Sequence, residues 1–267
     1  MRPLLLAGLL GLTALASGCA SGPSHANSPV FVWNPKALPS GPVGAQIAFG
    51  RELITDTQKL MPANVEAGMS CAACHLNAGT LARGGSLIGA YATFPQWNKR
   101  SRRVIVLQDR IAECFLYSMN GTPPAYDSKQ MIAIVSYIAW LSRGTPTFSK
   151  PDVKSGFVVK LPTSAPNISH GAALYATKCS ACHQAGGGGI AGAFPPLWGP
   201  RSFNNGAGMV HLDHMTGFVM YNMPQNAPGT LSFADAYDIS GYVLSHPRPK
   251  FDGKRALRFA SHPAAEI

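Results

Sequence analysis

The sequence predicts a mostly α-helical protein that consists of two similar helical domains in tandem. The pentapeptide Cys-X-X-Cys-His occurs twice, at residues 71–75 and 179–183. Each copy follows a segment with helical apolar spacing, and each half of the chain closes with an amphipathic segment that begins at a serine cap. These four segments are residues 43–57, 169–178, 128–142 and 232–245. Neither half contains several alternating, strand-like segments, so we expect helices and long loops in both.

The N-terminus has the features of a signal peptide. Arg2 precedes an apolar stretch, residues 4–16, that is too short to span a membrane. We therefore expect residues 1–18 to direct export, which implies a periplasmic protein. Ala14-Leu15-Ala16 fits an ordinary cleavage site, whereas Ala16-Ser17-Gly18-Cys19 resembles a lipoprotein site. In the second case, a lipid on Cys19 would tether the protein to a membrane facing the periplasm.

A proline-rich segment separates the two halves. Residues 146–166 contain Pro146, Pro151, Pro162 and Pro166 and have no sustained helical period, which indicates a linker. The remaining boundaries follow from the motifs and their flanking helices. They give an N-terminal extension at 19–42, a first domain at 43–145, a second domain at 167–250 and a tail at 251–267.

The charge balance is basic, with 22 Lys and Arg against 12 Asp and Glu and a formal net charge of +10. An excess of this sign favours anionic ligands or partners. The chain has no tight run of Lys and Arg of the kind that nucleic-acid-binding arms use, so we do not expect a nucleic-acid partner.

The repeated pentapeptide is the attachment signature of c-type haem. Two thiols three residues apart can bond the haem vinyl groups, and the next residue offers an imidazole to the iron. Cys71 and Cys74 with His75 would hold one haem, and Cys179 and Cys182 with His183 a second. Paired Cys-X-X-Cys also occurs in zinc ribbons and in thioredoxin-like redox sites. The histidine after each pair, in an exported and repeated helical module, favours two covalently bound haem c groups in cytochrome c-type domains.

The other axial ligand of the second haem is predicted to be Met223. It lies after the attachment motif and before the closing helix, and Pro224 restricts the loop that carries it. Met209, Met215 and Met220 are the rival candidates. A Met/His haem has a raised potential, which suits electron transfer.

The first half has no matching Met-Pro, and its candidate ligand is Cys114. A cysteine without an assigned partner in an oxidising compartment needs an explanation. It could be a buried free thiol, a disulfide partner of an unlipidated Cys19, or the distal ligand of the first haem, with Met119 or Met131 as substitutes. If residues 107–120 are helical, Arg110, Cys114 and Ser118 share one face. A thiolate ligand lowers the haem potential, so this haem would pass electrons to the Met-ligated one.

Several strings beyond the haem motifs resemble the periplasmic thiosulfate dehydrogenases, dihaem cytochromes c that form tetrathionate. The similarity spans nearly the whole mature chain, and its most specific part is the stretch from Cys114 to Gly121 followed by the second-domain strings. The matching strings are Cys74-His75-Leu76, Arg110-Ile111, Cys114-Phe115, Ser118-Met119-Asn120-Gly121, Ser128, Phe194-Pro195-Pro196-Leu197-Trp198-Gly199-Pro200, Asn204, Gly206-Ala207-Gly208-Met209, Asn222-Met223-Pro224 and Ser245-His246-Pro247-Arg248-Pro249.

The resemblance implies an enzyme that oxidises two thiosulfates to tetrathionate, a couple that can also run in reverse. Cys114 would ligate the catalytic haem and bond transiently to the substrate sulfur, with Arg110 and Ser118 as neighbouring catalytic residues and Met223 on the second haem. A small periplasmic carrier such as a cytochrome c would accept the electrons. The alternatives are a passive dihaem electron-transfer cytochrome, a sulfur-oxidation cytochrome that acts on a carrier protein and, more remotely, a zinc-binding structural protein.

Two positions depart from the family pattern. Members often carry Arg where this chain has Tyr117, so one anion contact is expected to be missing. Some members place Lys beside the methionine ligand, whereas this chain has Asn222, which argues against a switch between Lys and Met ligands.

Overall fold

The computed structural model describes residues 34–149, 151 and 156–255, so the predicted signal peptide and Cys19 lie outside the described residues. The described chain is mostly helical, with one two-stranded sheet. Its helices are α1 Pro42–Thr55, α2 Thr57–Leu60, α3 Leu76–Gly79, α4 Leu107–Glu113, α5 Lys129–Leu141, α6 Ile168–Lys178, α7 Ser180–His183, α8 Leu212–Asn222 and α9 Phe233–Leu244. None of them is long and apolar enough to cross a membrane.

The first half is built on the crossing of α1 and α5. Pro42 begins α1, and the Ser128 side chain caps α5 by accepting a hydrogen bond from the Met131 amide. Gly50 lies at the crossing, where a Cβ atom would be 2.0 Å from the Ala133 carbonyl oxygen. The absence of a side chain therefore lets the two helices approach closely, and their apolar faces form a buried core around Tyr137.

The second half repeats this plan with α6 and α9. Asn167 caps α6, and the Ser232 side chain accepts from the Asp235 amide at the start of α9. At Gly171 a Cβ atom would be 2.1 Å from the Asp238 carbonyl oxygen, the counterpart of the Gly50 contact. The serine-capped closing helices that the sequence predicts are confirmed in both halves.

Two predicted helices are interrupted. The segment 43–57 is not one helix, because Asp56 has φ −121° and ψ 37°, which ends α1 before α2 begins. The segment 107–120 is α-helical only as far as Glu113 and then continues as a π-helical turn, Cys114–Ser118. Such single π-turns are rare and occur frequently at functional sites.

A β-hairpin that the sequence did not predict precedes α4. Strands β1 (Gln96–Asn98) and β2 (Arg103–Ile105) pair antiparallel, with Trp97 opposite Val104. The hairpin is fixed to α4 by the Arg103 guanidinium, which pairs with the Asp109 carboxylate at 2.8 Å. Its turn carries exposed Lys99 and Arg102, so basic residues lie beside the helix that leads to Cys114.

The two halves pack directly against each other. The described residues between Ser142 and Asn167 form neither helix nor strand, and Phe157 and Val159 among them pack on the second core. That core also includes Ala67, Met69 and Leu76 of the first half. The interface therefore joins the region around the first Cys-X-X-Cys-His motif to the second domain.

Candidate haem and active site

The first attachment motif is held by Thr57, the residue after the break in the first helix. Its hydroxyl oxygen is 3.2 Å from the Cys71 sulfur and accepts a hydrogen bond from the Cys71 amide. The motif itself is a 3₁₀ turn, Cys71–Ala73, followed by Cys74 and His75. A carbonyl, that of Gly85, lies 2.6 Å from His75 Nδ1. The ring can therefore donate through Nδ1 and leave Nε2 free to bind a metal.

The second motif has the same arrangement on α7. His183 is buried, and its Nδ1 lies 2.9 Å from the Pro195 carbonyl oxygen. Burial lowers the pKa of His183, although the hydrogen bond with Pro195 opposes this effect. A neutral imidazole oriented through Nδ1 is the form that ligates haem iron. Both histidines thus fit the axial role that the sequence predicts.

A cavity of about 870 Å³ lies beside the second motif. Cys179, Cys182 and His183 line it together with Met223, and its walls are largely apolar. This size is within the usual range for cofactor pockets. The segment Met69–Ser70 and Ala72–Cys74 of the first half forms one wall. The residues present therefore fit a haem, and the two attachment sites are neighbours.

Three of the four methionines considered as the second ligand line this cavity. Met223 directly follows α8, and Met209 and Met215 also contribute to the walls. Met220 is buried in the second core and is not among the lining residues. Lining alone does not choose among the first three, so the assignment of Met223 stays a prediction that rests on its position before Pro224.

Cys114 lies beside the first attachment motif. Its thiol forms a hydrogen bond with His75, and the Arg110 Nη1 atom donates to its sulfur at 3.3 Å. Burial alone raises the pKa of the Cys114 thiol, but the Arg110 charge and the contact with His75 outweigh this effect and lower the pKa to about 7. The pKa values of Cys71 and Cys74 rise to about 12, mainly through burial. The environment of Cys114 thus selectively stabilises a thiolate.

The alternatives to Cys114 are placed differently. Met119 and Met131 are buried in the core of the first half, among the side chains of α1, α4 and α5. Cys114 is therefore the sulfur that lies beside His75 and could ligate a haem bound there. Cys19, its alternative disulfide partner, lies outside the described residues.

The Arg110 guanidinium contacts a carboxylate as well as the Cys114 sulfur. Glu113 Oε2 is 3.6 Å from Arg110 Nη1, and Glu113 Oε1 accepts a hydrogen bond from Asn98 Nδ2 of β1 at 2.9 Å. The Arg110 side chain is half exposed, so it can contact both the Cys114 sulfur and a molecule arriving from solvent. The charge on Cys114 raises the pKa of Arg110 further, despite the opposing effect of burial.

Ser118 ends a π-helical turn and does not continue the α-helix of Arg110. A regular α-helix would align Arg110, Cys114 and Ser118, but the turn from Cys114 to Ser118 is π-helical and wider. The π-turn has i to i+5 hydrogen bonds, such as that from the Met119 amide to the Cys114 carbonyl at 3.0 Å. The contact between Arg110 and Cys114 confirms that these two residues share a face. The place of Ser118 beside them stays a prediction, because the helix changes type between Cys114 and Ser118.

The two departures from the family pattern both lie at the domain interface. The Arg100 guanidinium carbon is 4.1 Å from the centre of the Tyr117 ring, so a cation is present beside this position although the residue is not arginine. Asn222 is buried, and its Nδ2 atom donates to the Arg83 carbonyl of the first half at 3.0 Å. Its amide is therefore used in packing the domains together.

Three residues that shape the site have no role assigned from the sequence: Thr57, Glu113 and Asn204. Thr57 was counted as the end of a helix, and Glu113 gives no signal by itself because charged residues are common on helix surfaces. Asn204 of the second half contacts the turn of Cys114 from 88 residues away, by a hydrogen bond from its Nδ2 atom to the Leu116 carbonyl. The sequence singles out Asn204 only as one of the positions that match the family pattern, which assigns it no contact or role.

Comparison with known families matches the two halves separately. Residues 60–147 match the model of the SoxA/TsdA cytochrome c domain, and residues 166–243 match the model of the cbb3-type cytochrome c oxidase subunit III. These matches and the helical fold define a protein with two cytochrome c domains, which bind haem c. Zinc-ribbon and thioredoxin-like interpretations of the motifs are therefore wrong.

Proteins that are similar to this chain over most of its length identify its family within the proteins with two cytochrome c domains. The thiosulfate dehydrogenase of Allochromatium vinosum is 40% identical over 243 residues, which cover 85% of this chain and 89% of that protein. The thiosulfate dehydrogenase of Stutzerimonas stutzeri is 38% identical over 241 residues, covering 88% and 76%. The solved thiosulfate dehydrogenase (TsdBA) of Marichromatium purpuratum, in its as-isolated form, matches with a TM-score of 0.78 and 35% identity over 86% of this chain. The chain spans 53% of that longer structure. This chain belongs to the thiosulfate dehydrogenase family, and it is an oxidoreductase.

Proposed function

We propose that this protein is a periplasmic dihaem cytochrome c that oxidises two molecules of thiosulfate to tetrathionate. The observation that carries the proposal is the placement of Cys114 between His75 and the Arg110 guanidinium, 3.3 Å from its sulfur. A passive electron carrier has no need of an ionisable thiol with an adjacent, half-exposed cation. Thiosulfate is a dianion with a nucleophilic sulfur, so this pair matches both of its chemical features.

The sulfur chemistry follows from these residues. The Cys114 thiolate and the outer sulfur of thiosulfate form an S–S bond, and two electrons leave the pair. A second thiosulfate then attacks the substrate-derived sulfur, which forms tetrathionate and returns the Cys114 thiolate. The bound haem groups supply one-electron acceptance, so the two electrons leave in single steps. Two thiosulfate dianions thus become one tetrathionate dianion and two electrons, and no proton is required.

Arg110 binds and orients the anion in this proposal. Its guanidinium can direct one N–H group to the Cys114 sulfur and others to a sulfonate oxygen, because the group carries five donors in one plane. Glu113, at 3.6 Å, keeps the guanidinium near Cys114. Lys99, Arg100 and Arg102 are exposed on the hairpin turn, and the hairpin is fixed to α4 through Arg103 and Asp109, so their positive potential would attract the dianion.

The shared wall between the attachment sites supports an electron path from the first haem to the second. Ala72, Ala73 and Cys74 of the first motif line the cavity of the second motif. A haem with a cysteine ligand has a lower potential than one with methionine, so transfer toward the Met223 site is downhill. From there a small periplasmic carrier such as a cytochrome c would take the electrons. Residues 1–18 would direct export, and a lipid on Cys19 would add a membrane tether.

The test is thiosulfate-dependent reduction of an artificial one-electron acceptor by the purified holoprotein, with tetrathionate measured as the product. Turnover with one tetrathionate for every two thiosulfates is the expected result. If the protein carries both haems and neither oxidises thiosulfate nor reduces tetrathionate, the proposal is overturned in favour of a passive electron-transfer cytochrome.

A further inference from the structure

The π-helical turn that carries Cys114 leaves part of its backbone without partners inside the first domain. The Met119 and Gly121 amides bond to the carbonyls of Cys114 and Phe115 at 3.0 and 2.8 Å. The carbonyls of the next two residues, Leu116 and Tyr117, are bonded from outside the turn. Carbonyls at the end of a helix need such partners, because leaving a buried one unpaired costs about 1–3 kcal/mol.

Both of these carbonyls are bonded by Asn204 of the second domain. Its Nδ2 atom donates to the Leu116 carbonyl at 2.8 Å, and its backbone amide donates to the Tyr117 carbonyl at 3.2 Å. The same Nδ2 atom donates to Asn120 Oδ1 at 3.0 Å, and Asn204 Oδ1 accepts from the Gly206 amide at 2.9 Å. The Asn204 side chain is fully buried at 0% exposure, so its amide has no competing contact with water.

The end of the turn is demanding in its backbone geometry. Asn120 has φ 49°, in the left-handed region. At Gly121 a Cβ atom would be 1.9 Å from the Asn64 carbonyl oxygen. The turn therefore ends in a conformation that local backbone preference alone does not stabilise. Asn204 of the second domain supplies additional contacts to it.

We propose that Asn204 is a positioning residue, which holds the π-helical turn so that Cys114 stays beside His75 and the Arg110 guanidinium. The site of the first domain is then completed by the second domain. This inference rests on the proposed function only in its assignment of Cys114 as the active sulfur. The competing explanation is that Asn204 merely shapes its own loop through the Gly206 contact.

Two variants separate these explanations. Asn204→Ala removes all side-chain contacts. Asn204→Asp keeps an acceptor for the Gly206 amide but loses the donor to Leu116 and Asn120. If Asn204 acts only on its own loop, the Asp variant restores wild-type behaviour. If Asn204 positions the turn, it does not. Asn205→Ala is the matched control, since Asn205 is adjacent and its side chain accepts from the Phe251 amide at 2.7 Å. This contact reaches the turn only indirectly, through the Phe251 ring, which packs on Tyr117 at 4.6 Å between ring centres.

The first readout is hydrogen exchange of the holoprotein, measured by mass spectrometry on peptides that cover residues 114–121. The Met119 and Gly121 amides report whether the turn stays closed. We expect their exchange to be at least about tenfold faster in Asn204→Ala and Asn204→Asp than in the wild type, because a buried hydrogen bond is lost. Asn205→Ala should leave these two amides unchanged.

The second readout is the electron paramagnetic resonance spectrum of the oxidised protein. A looser turn should let Cys114 leave its ligand position in part of the molecules, which adds a high-spin signal from the first haem. The near-infrared band of a methionine-ligated second haem should remain. A defect confined to the loop of Asn204 in the second domain would not change the first haem while leaving the second haem unchanged.

A third variant covers the case in which the buried Asn204 variants do not fold. Asn120→Gly deletes one acceptor of the Asn204 amide, and glycine suits the positive φ at this position. This variant should also speed the exchange of the Met119 and Gly121 amides and add a high-spin signal, but both effects should be smaller. Exchange and spectra that match Asn205→Ala in all variants that fold would overturn the proposal. Because exchange is measured without thiosulfate, inactivity toward thiosulfate would count against the proposed function only.

Discussion

The two attachment regions agree in how they hold the histidine and differ in what they place beside it. His75 and His183 each direct Nδ1 to a backbone carbonyl, that of Gly85 in one half and of Pro195 in the other. Beside His75 the first half places a cysteine on a π-helical turn, with a cation at 3.3 Å from its sulfur. The second half places methionines around a largely apolar cavity. Thus a repeated scaffold supplies haem attachment, and the segment before the closing helix supplies the specific chemistry.

The largest effect is expected from Cys114→Met, which gives the first site the ligand type that is predicted for the second site. We expect the protein to fold with both haems and the potential of the first haem to rise. Thiosulfate oxidation should fall by about a thousandfold or more, because methionine cannot form the S–S bond. Acceptor reduction assays and a redox titration measure the two effects. Near wild-type turnover would show that the covalent mechanism is wrong.

The shared helix crossing can be tested with matched glycine variants. Gly50→Ala and Gly171→Ala each place a Cβ atom about 2 Å from a carbonyl oxygen of the facing helix. Each should lower the free energy of unfolding by about 2–3 kcal/mol, since the helices must separate. Gly253→Ala is the control, because a Cβ atom there meets nothing within 4 Å. The midpoints of urea unfolding measure these losses of stability. If only one of the two substitutions lowers the stability, the two helix crossings are not equivalent.

Arg110→Leu tests whether the cation beside Cys114 serves the substrate. Loss of a charge-assisted contact should raise the Michaelis constant for thiosulfate by about ten- to hundredfold, which corresponds to roughly 1.4–2.8 kcal/mol. Arg143→Leu is a suitable control, since Arg143 stacks on Trp140 of α5 with its guanidinium carbon 4.0 Å from the ring centre. A constant that does not change in Arg110→Leu would assign this arginine to structure alone.

Met223→Ala tests the predicted ligand of the haem in the second half. The weak near-infrared band of a sulfur-ligated haem should disappear, and the potential of the second haem should fall. The first haem should keep its spectrum, because Cys114 lies in the other domain. Survival of the band would identify Met209 or Met215, which also line the cavity, as the ligand.

Periodicity and motifs predicted much of the fold and less of the site. The closing helices and their caps at Ser128 and Ser232 follow from local side-chain chemistry, and the structure confirms them. The π-helical turn at Cys114 could not be predicted, because a single turn of this kind lies inside an otherwise α-helical pattern. Cys114 is a candidate ligand because the sequence gives it no other role. Its support from Asn204, 88 residues away from Leu116, depends on how the domains pack.

The smallest expected effect concerns a polar network that anchors the hairpin to α4 in the first half. Asp109 accepts from the Arg103 guanidinium, the Tyr126 hydroxyl and the Val106 amide. Burial alone raises the pKa of Asp109, but these hydrogen bonds outweigh it and hold the pKa below its ordinary value. A carboxyl whose pKa is lowered by folding stabilises the protein at pH values above its unfolded pKa, about 3.9.

Asp109→Asn should therefore lower the free energy of unfolding by about 1–2 kcal/mol between pH 5 and pH 8. Arg103 is nearly half exposed, so solvent screening keeps this value modest. The stability difference between wild type and variant should shrink as the pH falls below about 4, because protonation of the wild-type carboxyl removes the same charge. Urea unfolding at a series of pH values measures this difference. If the difference in unfolding free energy is as large at pH 3 as at pH 7, then the packing of the Asp109 side chain, and not its charge, fixes the hairpin beside the Cys114 site.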